Sequence, residues 1–276
     1  MVTWRLLDLA YRDPDWNLAV EEAVARTVGK GRTLSTVRFW IEENAVIIGR
    51  FQDPSLEVNL EACKKHGTAV ARRFTGGGAV YHDSGNLNWA VALGRDHPLV
   101  RSSCINIPFV YSKLSSGVLQ GLKDLGVDAE FVPPSDIRIQ GRKVSGTAGA
   151  LKWGTVFFHG TLLVSSDLRV IEEVLDTQQP VVSIPRFVRS VKKPMITLQE
   201  ALARNVGMDE VKERLKEGFQ RALGIRLEPG ALTPEEKEFL ADFHEKDRGR
   251  YSVQWVEPAL TCKVDLHEAS AVGQPL

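Results

Sequence analysis

Apolar and polar residues alternate over the first 12 positions, MVTWRLLDLAYR, with the two-residue period of a short strand that ends at Asp13-Pro14. The period then changes. Trp16, Ala19/Val20, Ala23/Val24 and Val28 recur at helical spacing, with Asp15 as the N-cap and Gly29 and Gly31 closing the helix. VRFW (37–40) and AVIIG (45–49) predict two strands joined through Glu42-Glu43-Asn44. Asn59 opens a short helix that stops at Gly67, AVARRF is a further strand, and GAVYHDSGNLNWAVAL predicts two strands around an Asp-Ser-Gly-Asn turn. Ile107, Val110, Leu114, Val118 and Leu122 line one face of a long helix ending near Gly126.

Three strand-like runs follow closely, DIRIQ, GRKVSG and TVFFHGTLLVS, the first two meeting in a tight turn at Gln140-Gly141. QQPVVSIPRFVRSVKKPMIT carries three prolines and four cations without a period and reads as a long loop. Three helical runs come next. Thr197 with Glu200, and Thr233 with Pro234 and Glu236, have capping-box form, and Val211, Leu215, Phe219 and Leu223 stripe the helix between them. From Trp255 the pattern fades into a tail. Strands that come as hairpins, without strict βαβ alternation, predict an α+β fold: a mixed β-sheet flanked by helices.

Composition narrows the partners. Lys plus Arg equals Asp plus Glu, 35 each, so no net field points to nucleic acid or to an anionic membrane. Cys63, Cys104 and Cys262 are widely spaced and form no CxxC pair, which suits a reducing cytoplasm and not a disulfide framework. The N-terminus lacks the pattern of a signal peptide, and no apolar run reaches the roughly 18 residues of a membrane span. A cytoplasmic protein is expected.

The chemistry concentrates in two places. RRFTGGGAVYHD (72–83) sets three glycines behind two arginines, between two strands. That is neither a P-loop nor a dinucleotide fingerprint. Either the glycines make a turn, or their amides come close to a ligand, with the arginines available for phosphate. In GRKVSGTAGA (141–150), Lys143 is followed by small residues that leave space beside its ammonium. Such a cation suits negative charge building on several oxygens at once. His82 and His159 stand in motif-like surroundings, where a hydrogen-bonded structural histidine is an equal reading. Asp136 precedes the lysine on the facing strand run; it anchors Lys143, contacts a ligand or solvates the turn. No HExxH and no Cys/His set has metal-ligand spacing, and no metal ligands are assigned.

RRFTGGGAVYHDSGNLNW resembles the signature of lipoate–protein ligases, RRxSGGGAVxHDxGN. The resemblance continues through NLAVEEA (17–23), VIIGRFQ (46–52), GRKVSG (141–146) and HGTLLV (159–164), in the family's order, and covers roughly residues 4–255. It implies a fold shared with biotin–protein ligases and related to the catalytic core of class II aminoacyl-tRNA synthetases. It also implies a two-step reaction. Lipoate attacks ATP, with Mg²⁺, to give lipoyl-AMP, which then acylates a lysine of a 2-oxoacid dehydrogenase E2 lipoyl domain or of the glycine-cleavage H protein. ATP and lipoate are substrates here, and no tightly bound prosthetic group is expected. By the resemblance Lys143 is catalytic and touches both ligands. Arg72, Arg73, Gly78, Ala79, Val80 and Tyr81 fall at ATP and adenylate positions. Gly76, Gly77 and His82 lie along the lipoyl chain, and Asn86, Asp136 and His159 are second contacts. Val46, Ile47, Val80 and Val144 have the character of an acyl tunnel, or of ordinary strand core.

Two departures from the pattern matter. Full-length ligases carry an accessory domain beyond the element that YSVQW (251–255) resembles. The expected organisation is therefore a catalytic domain over 1–255 and a tail over 256–276, with a separate accessory subunit supplying adenylate formation. Octanoyl- and lipoyl-transferases share the fold, draw on a carrier protein without ATP, and use a cysteine; one branch places it before the GRKV-like lysine. FVPPSDIRIQGRK has none, and Ser135 lies near the relevant loop. ATP-dependent ligation is thus the leading expectation. The alternatives are carrier-dependent transfer and a non-catalytic carrier-binding module.

Overall fold

The computed structural model describes residues 1–100, 106–177, 188–247 and 249–253. The chain runs through β1 (Val2–Asp8), α1 (Pro14–Gly29), β2 (Thr36–Trp40), β3 (Asn44–Ile48), α2 (Pro54–Glu57), α3 (Leu60–His66), β4 (Ala69–Arg72), β5 (Val80–Asp83) and β6 (Asn86–Gly94). Then come α4 (Ile107–Asp124), β7 (Glu130–Val132), β8 (Asp136–Ile139), β9 (Arg142–Lys152), β10 (Thr155–Leu163), α5 (Leu168–Val174), α6 (Leu198–Leu202), α7 (Met208–Leu223), β11 (Ile225–Pro229) and α8 (Pro234–Lys246). The sequence-predicted Trp255, the 256–276 tail, Cys104, Cys262 and residues 178–187 of the long loop lie outside the described residues.

Local chemistry fixes the helix starts. Asp13, extended, accepts from Asp15 N and leaves Pro14 at the first helical position. The cap is therefore Asp13 and not Asp15, because proline has no N–H to contribute and fits the first turn. Asn59 caps α3, and Gly67 ends it in the left-handed region. Thr233 and Glu236 close a full capping box on α8. Glu236 also takes two 2.7 Å bonds from Arg5 and one of 2.8 Å from Thr27, which ties α8 to β1 and α1.

Eight strands form one sheet in the order β11-β1-β2-β6-β10-β9-β8-β7, and β4-β3-β5 form a second. β1 is parallel to β11 and β2, while β2, β6, β10, β9, β8 and β7 pair antiparallel in turn. The mixed sheet of the expected α+β fold is present. β11 and β7 were not read from the sequence; each is short and lies at a sheet edge, with too few alternating positions to stand out. β5 and β6 do not pair with each other. β5 joins β3, β6 takes β2 and β10, and the turn between them carries the chain from the small sheet to the large one.

Alternation along the central strands divides the core. Leu87, Trp89, Val91 and Phe158 face α4 and α7, meeting Leu114, Val118, Leu215 and Phe219. Ala90, Ala92 and Phe157 face α1 and α8 instead, where the small alanines admit Ala19 and Ala25 at close range. Val46 and Ile48 face a third cluster with Cys63 of α3 and Ile171 of α5. The segment after residue 187 is more than a connection. Val188 N donates to Phe51 O (3.0 Å), Lys143 N to Pro194 O (2.8 Å) and Ile196 N to Lys143 O (3.0 Å). Residues 188–196 thus form a strap fastened to β9 beside Lys143.

Candidate active site

Between the two sheets, under the strap, lies a cavity of about 510 Å³. β9 and β10 give one wall through Gly146, Thr147, Ala148, Gly149 and His159, and the small sheet gives another through Ile47, Val80 and His82. Leu18 and Trp40 add apolar surface, and the strap closes over with Val188, Ser190, Val191 and Lys193.

The glycine loop lies along this cavity, and its arginines face inward on the protein. Arg73 is 5% exposed. Its Nε donates to Thr75 Oγ1 (3.0 Å) and Gly76 O (3.2 Å), Nη1 to Ile47 O (2.9 Å), and Nη2 to Gly76 O and Gly78 O (both 2.7 Å). Burial lowers its pKa to about 10, with the nearby Glu21 opposing. The glycines let the backbone curl around this guanidinium. Gly77 has φ +86°, a Cβ there would meet Arg73 Nη2 at 3.0 Å, and a Cβ on Gly49 would meet Gly77 O at 2.2 Å. Arg72 braces the neighbouring turn, with Nη1 donating to Gly49 O (3.2 Å) and Gln52 O (2.7 Å), and stays off the cavity wall. The Ala79 amide donates to Ser190 Oγ of the strap (2.8 Å).

Of the residues expected here, Arg73, Gly76, Gly77, Gly78, Ala79, Val80, His82, Lys143 and His159 line the cavity. Arg72, Tyr81, Asn86 and Asp136 do not. The Tyr81 hydroxyl donates to Asn44 Oδ1 (3.1 Å) within the third core cluster, and Asn86 Nδ2 donates to Asn88 Oδ1 (2.9 Å). Strand alternation turns Tyr81 away when Val80 and His82 face inward. Val46 and Val144 are core residues, so of the four tunnel candidates Ile47 and Val80 reach the cavity.

Both histidines are held by carboxylates that sequence reading gave no role. His82 Nδ1 pairs with buried Glu42. His159 Nδ1 donates to Glu21 Oε1 (2.7 Å), and its Nε2 meets Thr75 Oγ1 at 2.8 Å. The available signal for Glu21 was its place in LAVEEAVA, a carboxylate within an apolar helical run.

Lys143 projects from β9 with its side chain 25% exposed. Its Nζ is 3.4 Å from Asp136 Oδ1, while Asp136 Oδ2 takes Lys193 (2.7 Å) and Arg138 (2.8 Å). Gly146 makes room for the ammonium, since a Cβ there would lie 2.7 Å from Nζ. Burial pushes the Lys143 pKa down; Asp136 works against this, and Lys193 and Arg73 add to it. Burial would raise the Asp136 carboxyl, but the bonds from Lys193 and Arg138 outweigh it and hold it below the usual carboxylate range. Cys63 is remote from all of this, buried in the third cluster with its thiol pushed up to about 11 by desolvation.

Residues 13–220 match the lipoyl protein ligase A/B catalytic domain. The chain belongs to this family. Octanoyltransferase LipM of Geobacillus kaustophilus (strain HTA426) is 31% identical over 277 residues, covering 91% of this chain and 97% of that protein. The bi-partite lipoate protein ligase of Thermoplasma acidophilum, solved in work on its E2 lipoyl domain, superposes with a TM-score of 0.75 at 30% identity, covering 89% and 93% of the two chains. A lipoate-protein ligase A bound with ATP gives 0.74 at 31% identity, covering 89% and 95%.

The chain is therefore an enzyme of the lipoyl and octanoyl ligase–transferase family. The leading expectation, ATP-dependent lipoate ligation, is corrected by its curated relatives, which are octanoyltransferases. At the expected nucleotide positions both arginines donate to backbone carbonyls and the Ala79 amide donates to Ser190. The carboxylates lining the cavity do not suit Mg²⁺, since Glu21 and Glu42 each hold an imidazole. Among the described residues no helix is long and apolar enough to cross a membrane.

Proposed function

We propose that the chain is an octanoyltransferase that moves an octanoyl group from the thioester of an acyl carrier protein to the ε-amine of a lysine on a lipoyl domain or on the glycine-cleavage H protein, without ATP. The observation that carries this reading is the likeness to curated octanoyltransferases over most of the chain, and the Lys143 ammonium, set at the edge of the cavity beside a wall of small residues, is the group placed to act in it. The curated relatives support the acyl group, and the bi-partite ligase studied with its E2 lipoyl domain supports the acceptor.

In this reading the acyl chain lies against Leu18, Trp40, Ile47 and Val80, which excludes water from it. The thioester carbonyl comes to Lys143. The acceptor amine attacks, its lone pair forming the C–N bond while charge builds on the carbonyl oxygen. The Lys143 ammonium donates to that oxygen, an interaction strongest when the oxyanion has formed. Collapse breaks the C–S bond, and the proton lost by the amine leaves on the carrier's thiol. Cys63 is buried in the third core cluster, away from the cavity, and in this reading the amine attacks the donor thioester directly. The separate accessory subunit was expected for adenylate formation, and transfer from a carrier has no need of one.

The test is to mix the chain with octanoyl-carrier protein and an apo lipoyl domain, with no nucleotide present, and record the acceptor's intact mass. A gain of one octanoyl group is expected. An unmodified acceptor, with the donor thioester intact, would contradict the proposal.

A further inference from the structure

We propose that Lys193 is a positioning residue for the transfer: it holds Asp136 away from Lys143, so that the Lys143 ammonium faces the cavity and not the carboxylate. The inference rests on the transferase reading of the same site. Lys193 was not singled out by its sequence, lying in a run of cations without a period, yet the strap brings it to the cavity wall.

Asp136 is buried, with its side chain 2% exposed, and three cations share it. Lys193 Nζ donates to Oδ2 at 2.7 Å, and Arg138 Nη2 to the same oxygen at 2.8 Å. Lys143 has the other oxygen, at 3.4 Å, longer than a good charged hydrogen bond. Two tight partners on one side thus leave Lys143 loosely held. The backbone fixes this division, because Lys143 N and O both bond to the strap, at Pro194 and Ile196, placing Lys193 alongside. The charged groups acting on Lys143 are Asp136 from β8, Lys193 from the strap and Arg73 from the glycine loop. Without Lys193 a cation leaves the cluster, Asp136 turns toward Lys143, and the ammonium is drawn from the acyl carbonyl. Both changes favour the charged form of Lys143.

The experiment uses the full chain as Lys193→Met and Lys193→Arg. Lys193 is partly exposed and makes no contact inside the apolar clusters, so both variants should fold. Competitive acetylation with acetic anhydride, followed by mass spectrometry of the Lys143 peptide, reads the titration of Lys143 without any acyl donor. In Lys193→Met the midpoint should rise by roughly half a pH unit or more, and octanoyl transfer should fall about tenfold. Lys193→Arg, which keeps the charge and a donor, should restore both. An unchanged midpoint in Lys193→Met would overturn the inference. An inactive wild type would instead overturn the transferase reading, and the acetylation result would still decide the role of Lys193.

Discussion

Arg73 and Lys143 border the same cavity, and both read from the sequence as cations for an anionic ligand. Arg73 is 5% exposed and bonds to three carbonyls and a hydroxyl of its own chain. Lys143 has a side chain 25% exposed and one carboxylate, shared and distant. The guanidinium organises the glycine loop, with its five donors in a fixed fork suited to several carbonyls at once. In the proposed transfer the ammonium, a point charge on a long stem, remains for the substrate. Charge near a site does not make a residue catalytic; what matters is whether its donors are still free.

The largest contrast comes from removing each cation. Lys143→Met should cut transfer by about 10²–10³-fold with little change in melting temperature. Arg73→Met should destabilise the fold by about 3 kcal/mol, because it leaves buried carbonyls at Ile47, Gly76 and Gly78 without a donor. Thermal melts and transfer rates on both variants check this pair, and a stable, inactive Arg73→Met protein would erase the distinction.

Gly146→Ala is expected to come next. Its Cβ would stand 2.7 Å from Lys143 Nζ, and the flexible end of a lysine moves aside cheaply. Stability should hold while transfer falls about ten- to a hundredfold, since the ammonium is displaced from the carbonyl. The pH profile sharpens the same point. Lys143 is depressed below its ordinary 10.5, so it is charged at lower pH and loses its proton as pH rises through that lowered value. The transfer rate should turn down below pH 10.5, and the residual activity of Lys143→Arg should lack that downturn. The smallest effect belongs to Cys63→Ala. With the thiol buried and raised to about 11, transfer should stay within about twofold of wild type. A tenfold loss in the same assay would make the thiol part of the reaction.

Much of this site was legible in the chain. The glycine loop and Lys143 sit in dense signatures, and the strands that carry them alternate clearly. The role of Arg73 was not legible, because RRFTGGG does not say whether the loop curls back onto its own guanidinium. Lys193 and Ser190 were hidden for a different reason: an aperiodic segment gives no clue that it will fasten to β9. Tyr81 was misplaced by one step of strand alternation, and β11 was too short to announce itself. The reaction was misread because RRFTGGGAVYHD and GRKVSG build a cavity with a lysine beside it, an arrangement that suits ligation and transfer alike. The lack of a cysteine before Lys143 weighed against transfer only on the premise that the enzyme itself must carry the acyl group.

The most direct test offers the two donors side by side. Octanoyl-carrier protein without nucleotide is set against free octanoate with ATP and Mg²⁺, each with the same apo lipoyl domain, and the acceptor's intact mass is followed over time. Transfer from carrier to acceptor predicts an acceptor heavier by one octanoyl group in the first mixture and unmodified in the second. Modification confined to the mixture with ATP would contradict it.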